Sequence, residues 1–197
     1  MNKKHPYATD LAERQNVPLY IAAAAFLSAL ALGKAFAYLG FVPPAWLDVP
    51  STAGLYALGY KWFSSSIWKW SWVRRTGFVK TPILEGDWSG FVTTSFDKFA
   101  SHHPVSVTIY QDWTSILVVL KGNHSQSSSV IASVVVEDEV GLSYEYCNEP
   151  LPQATKTMHA HRGMAGLTLS TDGRVFSGQY YSGRDRQNCG QIELTRL

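Results

Sequence analysis

The densest run of groups able to grip a small anion is Gly178-Gln179-Tyr180-Tyr181-Ser182-Gly183-Arg184-Asp185-Arg186. Arg184 and Arg186 alternate with Asp185, so in extended chain both point to one side, and paired guanidiniums hold phosphate oxygens bidentately. Tyr180 and Tyr181 supply flat faces for stacking on a base or a sugar. The same run also fits a hairpin turn with solvated arginines. Upstream, His159 and His161 flank one residue and Arg162 follows. On a strand such histidines share a face, as some metal sites require, but a third ligand would have to come from His102, His103 or His124. No carboxylate or cysteine stands at a metal spacing, so no metal is expected. Rim or hydrogen-bonded strand histidines are the simpler reading. The candidate ligand-binding residues are therefore Tyr180, Tyr181, Arg184, Arg186, Arg162 and His161. The Gly-x-Ser-x-Gly, phosphate-loop and dinucleotide fingerprints are absent. Glu137-Asp138-Glu139 reads as a solvated turn rather than a catalytic pair. The pattern points to a binding module and away from an enzyme.

These residues sit within a long run of period-two sequence. From Ile83 onward, short apolar alternations recur: Leu84, Trp88 and Val92 on one face, then Val105-x-Val107-x-Ile109, Ile116 to Leu120, Ser129 to Val136 and Leu142 to Tyr146. Segments around Thr157–Arg162 and Leu167–Leu169, Val175–Tyr181 and Gln191–Arg196 follow. Turn residues separate them, among them Lys121-Gly122-Asn123, Glu149-Pro150 and Asp172-Gly173. About eight strands in residues 83–197 predict an all-β sandwich or an antiparallel up-and-down barrel, whose closure would remove exposed edges. Inward candidates such as Trp88, Trp113, Ile116 and Val118 are bulky, so a filled barrel with recognition at its mouth or side is as compatible as a deep cup.

The first 82 residues are of another kind. They carry nine basic against three acidic residues, while residues 83–197 carry eight against twelve. Leu19 to Val42 is apolar apart from Ser28 and Lys34 and is long enough as a helix to cross a bilayer. Ala35-Phe36-Ala37 fits a signal-peptide cleavage site, but the apolar run continues beyond it. Pro43-Pro44 would stop the helix. A second segment, about residues 51–73, contains Gly54, Gly59, Lys61, Ser64, Ser65 and Ser66, and ends in Trp68, Trp70, Trp72, Arg74 and Arg75. The glycines and serines are candidate helix–helix contacts, and the tryptophans suit a membrane interface surrounding a helix end. An interfacial helix that never crosses is the rival. Basic residues flank both outer ends, which predicts a hairpin with both termini in the cytoplasm. The expected layout is an N-terminal segment (1–18), two transmembrane helices within 19–75 (about 19–42 and 51–73), a linker (76–82) and a cytoplasmic β domain (83–197). Cys147 and Cys189 are then expected to be free thiols.

Two N-terminal spans followed by a minimal lipocalin-like barrel resemble the two-transmembrane β-barrel effectors of bacterial cyclic-oligonucleotide-based anti-phage signalling (CBASS). The residues carrying the resemblance are Leu84-x-Gly86-x-Trp88-x-Gly90, Gln111-x-Trp113 and Tyr144-x-Tyr146-x-Asn148-x-Pro150. They continue with His161-x-Gly163, Gly178-x-Tyr180-Tyr181 and Gly190-x-Ile192-x-Leu194. The resemblance implies a multi-pass protein of the bacterial inner membrane. Its barrel would bind a cyclic dinucleotide made by a partner nucleotidyltransferase during infection, self-associate through the hairpin, disrupt the membrane and kill the cell (abortive infection). It implies no cofactor beyond that ligand, and no DNA or RNA partner. A membrane-tethered lipocalin-like carrier of an apolar ligand is the alternative, and a membrane-anchored interaction domain is a third reading. The bases of the ligand, its place inside the barrel or at its mouth or side, and the size of the assembly are left open by the residues.

Overall fold

The structure, a computed structural model, describes residues 3–40, 48–136, 138–155, 158–183 and 186–197, with the side chains of residues 48–50 outside that description. The chain divides into two compact units, Met1–Asp10 with Pro82–Leu197, and Leu11–Thr81.

The first unit is all β. Eight strands follow the chain: β2 (Gly86–Val92), β3 (His103–Gln111), β4 (Ser115–Gly122), β5 (Ser125–Val135), β6 (Val140–Pro150), β7 (His161–Leu169), β8 (Val175–Ser182) and β9 (Cys189–Arg196). Each pairs antiparallel with its neighbours in sequence, and β9 pairs back onto β2, so the hydrogen bonding runs round a closed circuit. A ninth strand, absent from the sequence reading, comes from the N-terminus. β1 (His5–Thr9) pairs antiparallel with the start of β4 and parallel with the end of β5. Only five residues long, it carries too little alternation to be seen as a strand. Its anchor is Tyr7, whose buried hydroxyl donates to the Trp113 carbonyl at 2.9 Å.

Through the middle of the barrel most inward positions are the apolar ones read from the sequence. Leu84, Trp88, Ile116, Phe176 and Leu194 are fully buried, with Val107, Ile109 and Val118 beside them. Trp88 and Phe176 rings meet at 4.6 Å, and the Arg196 guanidinium lies 5.0 Å from the Trp88 ring. The barrel is thus filled by its own side chains, and Trp113 is buried in the β3–β4 turn. At the end carrying that turn, Gln111 closes the interior: its amide accepts from Leu84 N–H at 2.7 Å and donates to the Pro82 carbonyl at 3.0 Å. Cys147 on β6 and Cys189 on β9 are free thiols. Two strands separate them, about 14 Å at ~4.8 Å per strand, beyond disulfide reach.

The second unit holds α1 (Glu13–Tyr38), α2 (Asp48–Ser65) and the short α3 (Ser71–Arg75). α1 begins well before residue 19, because hydropathy marks the apolar stretch and not the polar first turns. It buries only Glu13, Val17 and Ala25, leaving Leu19, Phe26, Leu27, Leu30 and Phe36 exposed. Among the described residues it is the one helix long and apolar enough to cross a membrane. The segment expected at 51–73 is not one continuous helix. It breaks after Ser65, whose hydroxyl bonds back to the Trp62 carbonyl at 3.2 Å, and resumes after a 3-10 turn at Ile67–Lys69. Serine side chains offer the backbone alternative partners and so favour helix ends. The expected ring of tryptophans is corrected accordingly: Trp68 is fully buried, while Trp62, Trp70 and Trp72 are exposed, Trp62 meeting Trp70 edge to face at 6.1 Å and Trp70 meeting Trp72 at a tilt at 6.0 Å. Gly59 packs against Ile21 of α1, and Gly54 faces open space. The stop at Pro43-Pro44 lies outside the described residues.

The unit's last residues are tied to its first. Glu13, buried at the start of α1, accepts from the backbone N–H groups of Lys80 and Thr81 and from the Thr81 hydroxyl. Arg74 donates to the Thr81 carbonyl at 2.7 Å. Nearly every polar group of Thr81 is thereby fixed.

Candidate ligand-binding site

The barrel's two ends differ. One carries short turns (112–114, 136–139, 170–174) and strand β1. The other carries the two-residue β4–β5 turn and the longer connections, residues 93–102, 151–160 and 183–188. Along the inward tracks the chemistry changes toward that second end. On β6 the order is Leu142, Tyr144, Tyr146, Asn148, and on β8 it is Phe176, Gly178, Tyr180, Ser182. On β5, Val134 and Ala132 give way, across a bulge between Ser129 and Ile131, to Ser129 and Ser127. A buried polar side chain costs stability unless bonded, so a shift to such groups at one end marks a mouth rather than more core.

Tyr146 and Tyr180 form the aromatic part of this mouth. Burial pushes the Tyr146 phenol up to about 12, with Tyr180 adding to the shift and the Ser182 hydrogen bond and Arg186 opposing it. Burial also raises Tyr180, against a hydrogen bond from Thr94 and the charge of Arg186. Tyr144, one step deeper, is raised further by burial and by Tyr146. All three are neutral hydrogen-bonding phenols at physiological pH. Their fit dictates glycines. A Cβ at Gly163 would stand 2.3 Å from the Tyr146 hydroxyl, and one at Gly190 would stand 2.6 Å from the Tyr180 ring and 1.8 Å from the Thr93 carbonyl.

Arg186 supplies positive charge. It lies in the turn joining β8 to β9, its N–H bonded to the Gly183 carbonyl at 3.1 Å and its guanidinium 5.7 Å from the Phe96 ring. Phe96 belongs to the 93–102 connection, which also holds Asp97. Burial raises the Asp97 carboxyl, but the hydrogen bond and charge of His103, 2.9 Å away, outweigh it and keep it below the ordinary carboxylate value.

The sequence candidates fall into two groups. Tyr180 points inward, His161 pairs with Asn148 on the inward track at the rim, and Arg186 stands over the mouth. Tyr181 and Arg162 point outward, since neighbours on a strand face opposite ways. Arg162 forms an ion pair with Glu145 at 3.0 Å, and the Tyr181 hydroxyl contacts Met164 sulfur at 3.1 Å. Both line an outer groove of about 430 Å³. Arg184 lies outside the described residues. His161 Nδ1 is bonded to the His159 carbonyl at 2.9 Å, and among the described residues no three His, Cys, Asp or Glu groups converge as metal ligands. Sequence reasoning did not name Tyr146, Asn148, Thr94 or Phe96 as site residues. The alternation from Leu142 to Tyr146, carried one step further, places Asn148 on the inward track and was the available signal.

A filled antiparallel barrel with a polar, aromatic mouth, preceded by a helix long and apolar enough to cross a membrane, suits a binding domain. The family model described as "Cap15, cyclic dinucleotide receptor domain" matches residues 79–196, and the chain belongs to this family of CBASS effectors. A CD-NTase-associated protein 15 of Yersinia aleksiciae is 28% identical over 208 residues, covering 99% of this chain and 98% of that protein. One of Staphylococcus schleiferi is 24% identical over 157 residues, covering 77% and 81%.

Proposed function

We propose that this chain is a membrane-anchored sensor whose barrel mouth binds a cyclic dinucleotide from a partner nucleotidyltransferase. Binding drives self-association, disruption of the bacterial inner membrane and death of the infected cell. The observation that carries this reading is the mouth itself: Tyr146, Tyr180, Asn148 and Arg186 gathered at the long-loop end of a filled barrel in a cyclic dinucleotide receptor family. Neutral phenols offer stacking faces and hydrogen bonds, while the guanidinium answers a phosphodiester. The remaining acidic surface gives no general attraction to an anion, so affinity rests on these local groups.

Strand pairing supports two crossings. β1 and β2–β9 share one sheet, so residues 5–9 and 86–196 lie on the same side of any membrane. The chain between them then crosses an even number of times. With α1 as one span, α2 is the return, and its weaker hydropathy is tolerated because it packs along α1 at Gly59. Basic flanks put both termini in the cytoplasm. Gly54 and Ser64–Ser66 are the proposed contacts between hairpins.

The test is a stability panel on the full chain in detergent with cyclic dinucleotides, linear dinucleotides and fatty acids. A ligand at a hundredfold excess over Kd adds about 2.7 kcal/mol, a rise of roughly 5–10 °C for a chain of this size. Stabilisation by a cyclic dinucleotide and not by its linear form is expected. Stabilisation by fatty acids alone would establish the carrier reading, which the filled interior opposes. No response to any compound would favour an interaction domain.

A further inference from the structure

Outside the barrel, β5 to β8 form a groove of about 430 Å³ that the proposed mouth does not use. Its exposed apolar residues are Ile131 (62% exposed), Tyr181 (56%) and Met164 (40%). Between them lies the ion pair Arg162–Glu145, with the arginine side chain 69% exposed. An exposed pair of this kind adds little to the fold. One small patch thus carries one cation, one anion and an apolar rim, which is the composition of a self-complementary surface. In a two-fold contact the same patch faces itself, so Arg162 of one copy meets Glu145 of the other and the reverse.

We propose that this groove docks a second copy of the chain, pairing Arg162 and Glu145 across a two-fold axis with Tyr181 and Met164 closing around them. The chemistry of the patch selects this occupant, since it presents both signs of charge, Glu145 on β6 and Arg162 on the adjacent β7. A stable interface buries about 800 Å² from each partner, whereas the exposed apolar rim here is three side chains, so the contact is a weak one. Confinement to a membrane raises the effective concentration enough for a weak contact to count. The groove is also joined to the mouth. Gly183, which lines it, donates its N–H to the Arg162 carbonyl at 2.7 Å and begins the turn that carries Arg186. A ligand held by Arg186 therefore also bears on one wall of the groove. The membrane confinement and this last step rest on the function proposed above.

The test uses full chains in lipid vesicles, labelled in two colours, with energy transfer read as protein density rises, first without ligand and then with cyclic di-AMP, cyclic di-GMP and cyclic GMP-AMP. Arg162→Glu alone and Glu145→Arg alone should each lower pairing at least tenfold. Mixing the two variants should restore it, because each anion then meets a cation on the other copy while the ion pair within each chain stays broken. Ile131→Lys, at an exposed position, should also weaken pairing, with an unchanged melting temperature showing that the fold is intact. Wild-type pairing that none of these changes alters would overturn the proposal, as would single variants that the mixture fails to rescue, or wild-type chains that never pair. Pairing that follows the charge pattern yet ignores every cyclic dinucleotide would retain the groove and reject its coupling to the mouth. Loss of ligand binding in Arg162→Glu, measured in the same vesicles, would reassign the groove to the ligand and also overturn the proposal.

Discussion

At the scale of single residues, alternation along a strand decides what a cluster in the sequence can do. Tyr180 and Tyr181 are neighbours in the chain and face opposite sides of the wall, so one serves the mouth and the other the outer groove. The sequence showed that tyrosines and arginines concentrate near β8. It did not show which strands face them, and Tyr146 arrives from β6 only through the sheet's registers. Two outcomes follow. Gly163→Ala should destabilise the barrel by about 1–3 kcal/mol in urea unfolding, because its methyl would intrude on the Tyr146 hydroxyl and the nearby Tyr181 carbonyl. The second concerns pH. Burial pushes the folded Tyr146 phenol up to about 12, above the ordinary phenol value of about 10. Above pH 10 the unfolded chain releases this proton and the folded chain does not, so stability falls from pH 10 toward 12. Tyr146→Phe should show a shallower fall over that window than wild type and little difference at pH 7–9. Equal slopes would mean that Tyr146 ionises freely in the folded barrel.

At the scale of elements, the strands were legible where apolar residues alternate and where glycine, proline or asparagine marks the turns. β2 to β6, β8 and β9 were of this kind; β7 reads as two pieces, Thr157–Arg162 and Leu167–Leu169, because its inward residues between them, Gly163 and Ala165, are small, whereas it is one strand. β1 was not, since His5-Pro6-Tyr7-Ala8-Thr9 places one buried residue among polar and small ones, and its role depends on β4 and β5, more than a hundred residues away. Deleting residues 1–9 should lower the melting temperature by several degrees, because the wedge between β4 and β5 is lost. An unchanged melt would show that the other eight strands close unaided. The break at Ser65–Trp70 was hidden for a related reason: composition reports what a segment prefers to touch, not where its backbone turns. The Glu13 carboxylate holding Lys80 and Thr81 joins elements at opposite ends of the helical unit. Glu13→Ala leaves those donors without their acceptor, so limited proteolysis within residues 76–81 should run at least several-fold faster than in wild type. An equal cleavage rate would remove this clamp from the account.

At the scale of the whole molecule, the charge split between the two parts and the long apolar helix α1 are consistent with membrane anchoring, and the proposal of two crossings rests on β1 sharing a sheet with β2–β9. In intact spheroplasts, an impermeant maleimide should label Leu39→Cys, beyond the end of α1, and leave Cys189 untouched until lysis. Labelling of Cys189 from outside would reverse the topology. The central claim concerns the mouth, and its most direct measurement is a binding isotherm. The stabilising cyclic dinucleotide is titrated into the full chain as wild type and as Arg186→Ala with Tyr180→Leu, each checked for an unchanged melting temperature. The account predicts affinity at least ~30-fold weaker in the double variant, about 2 kcal/mol for a charge-assisted phosphate contact and a stacking face. An isotherm that superimposes on wild type would contradict it.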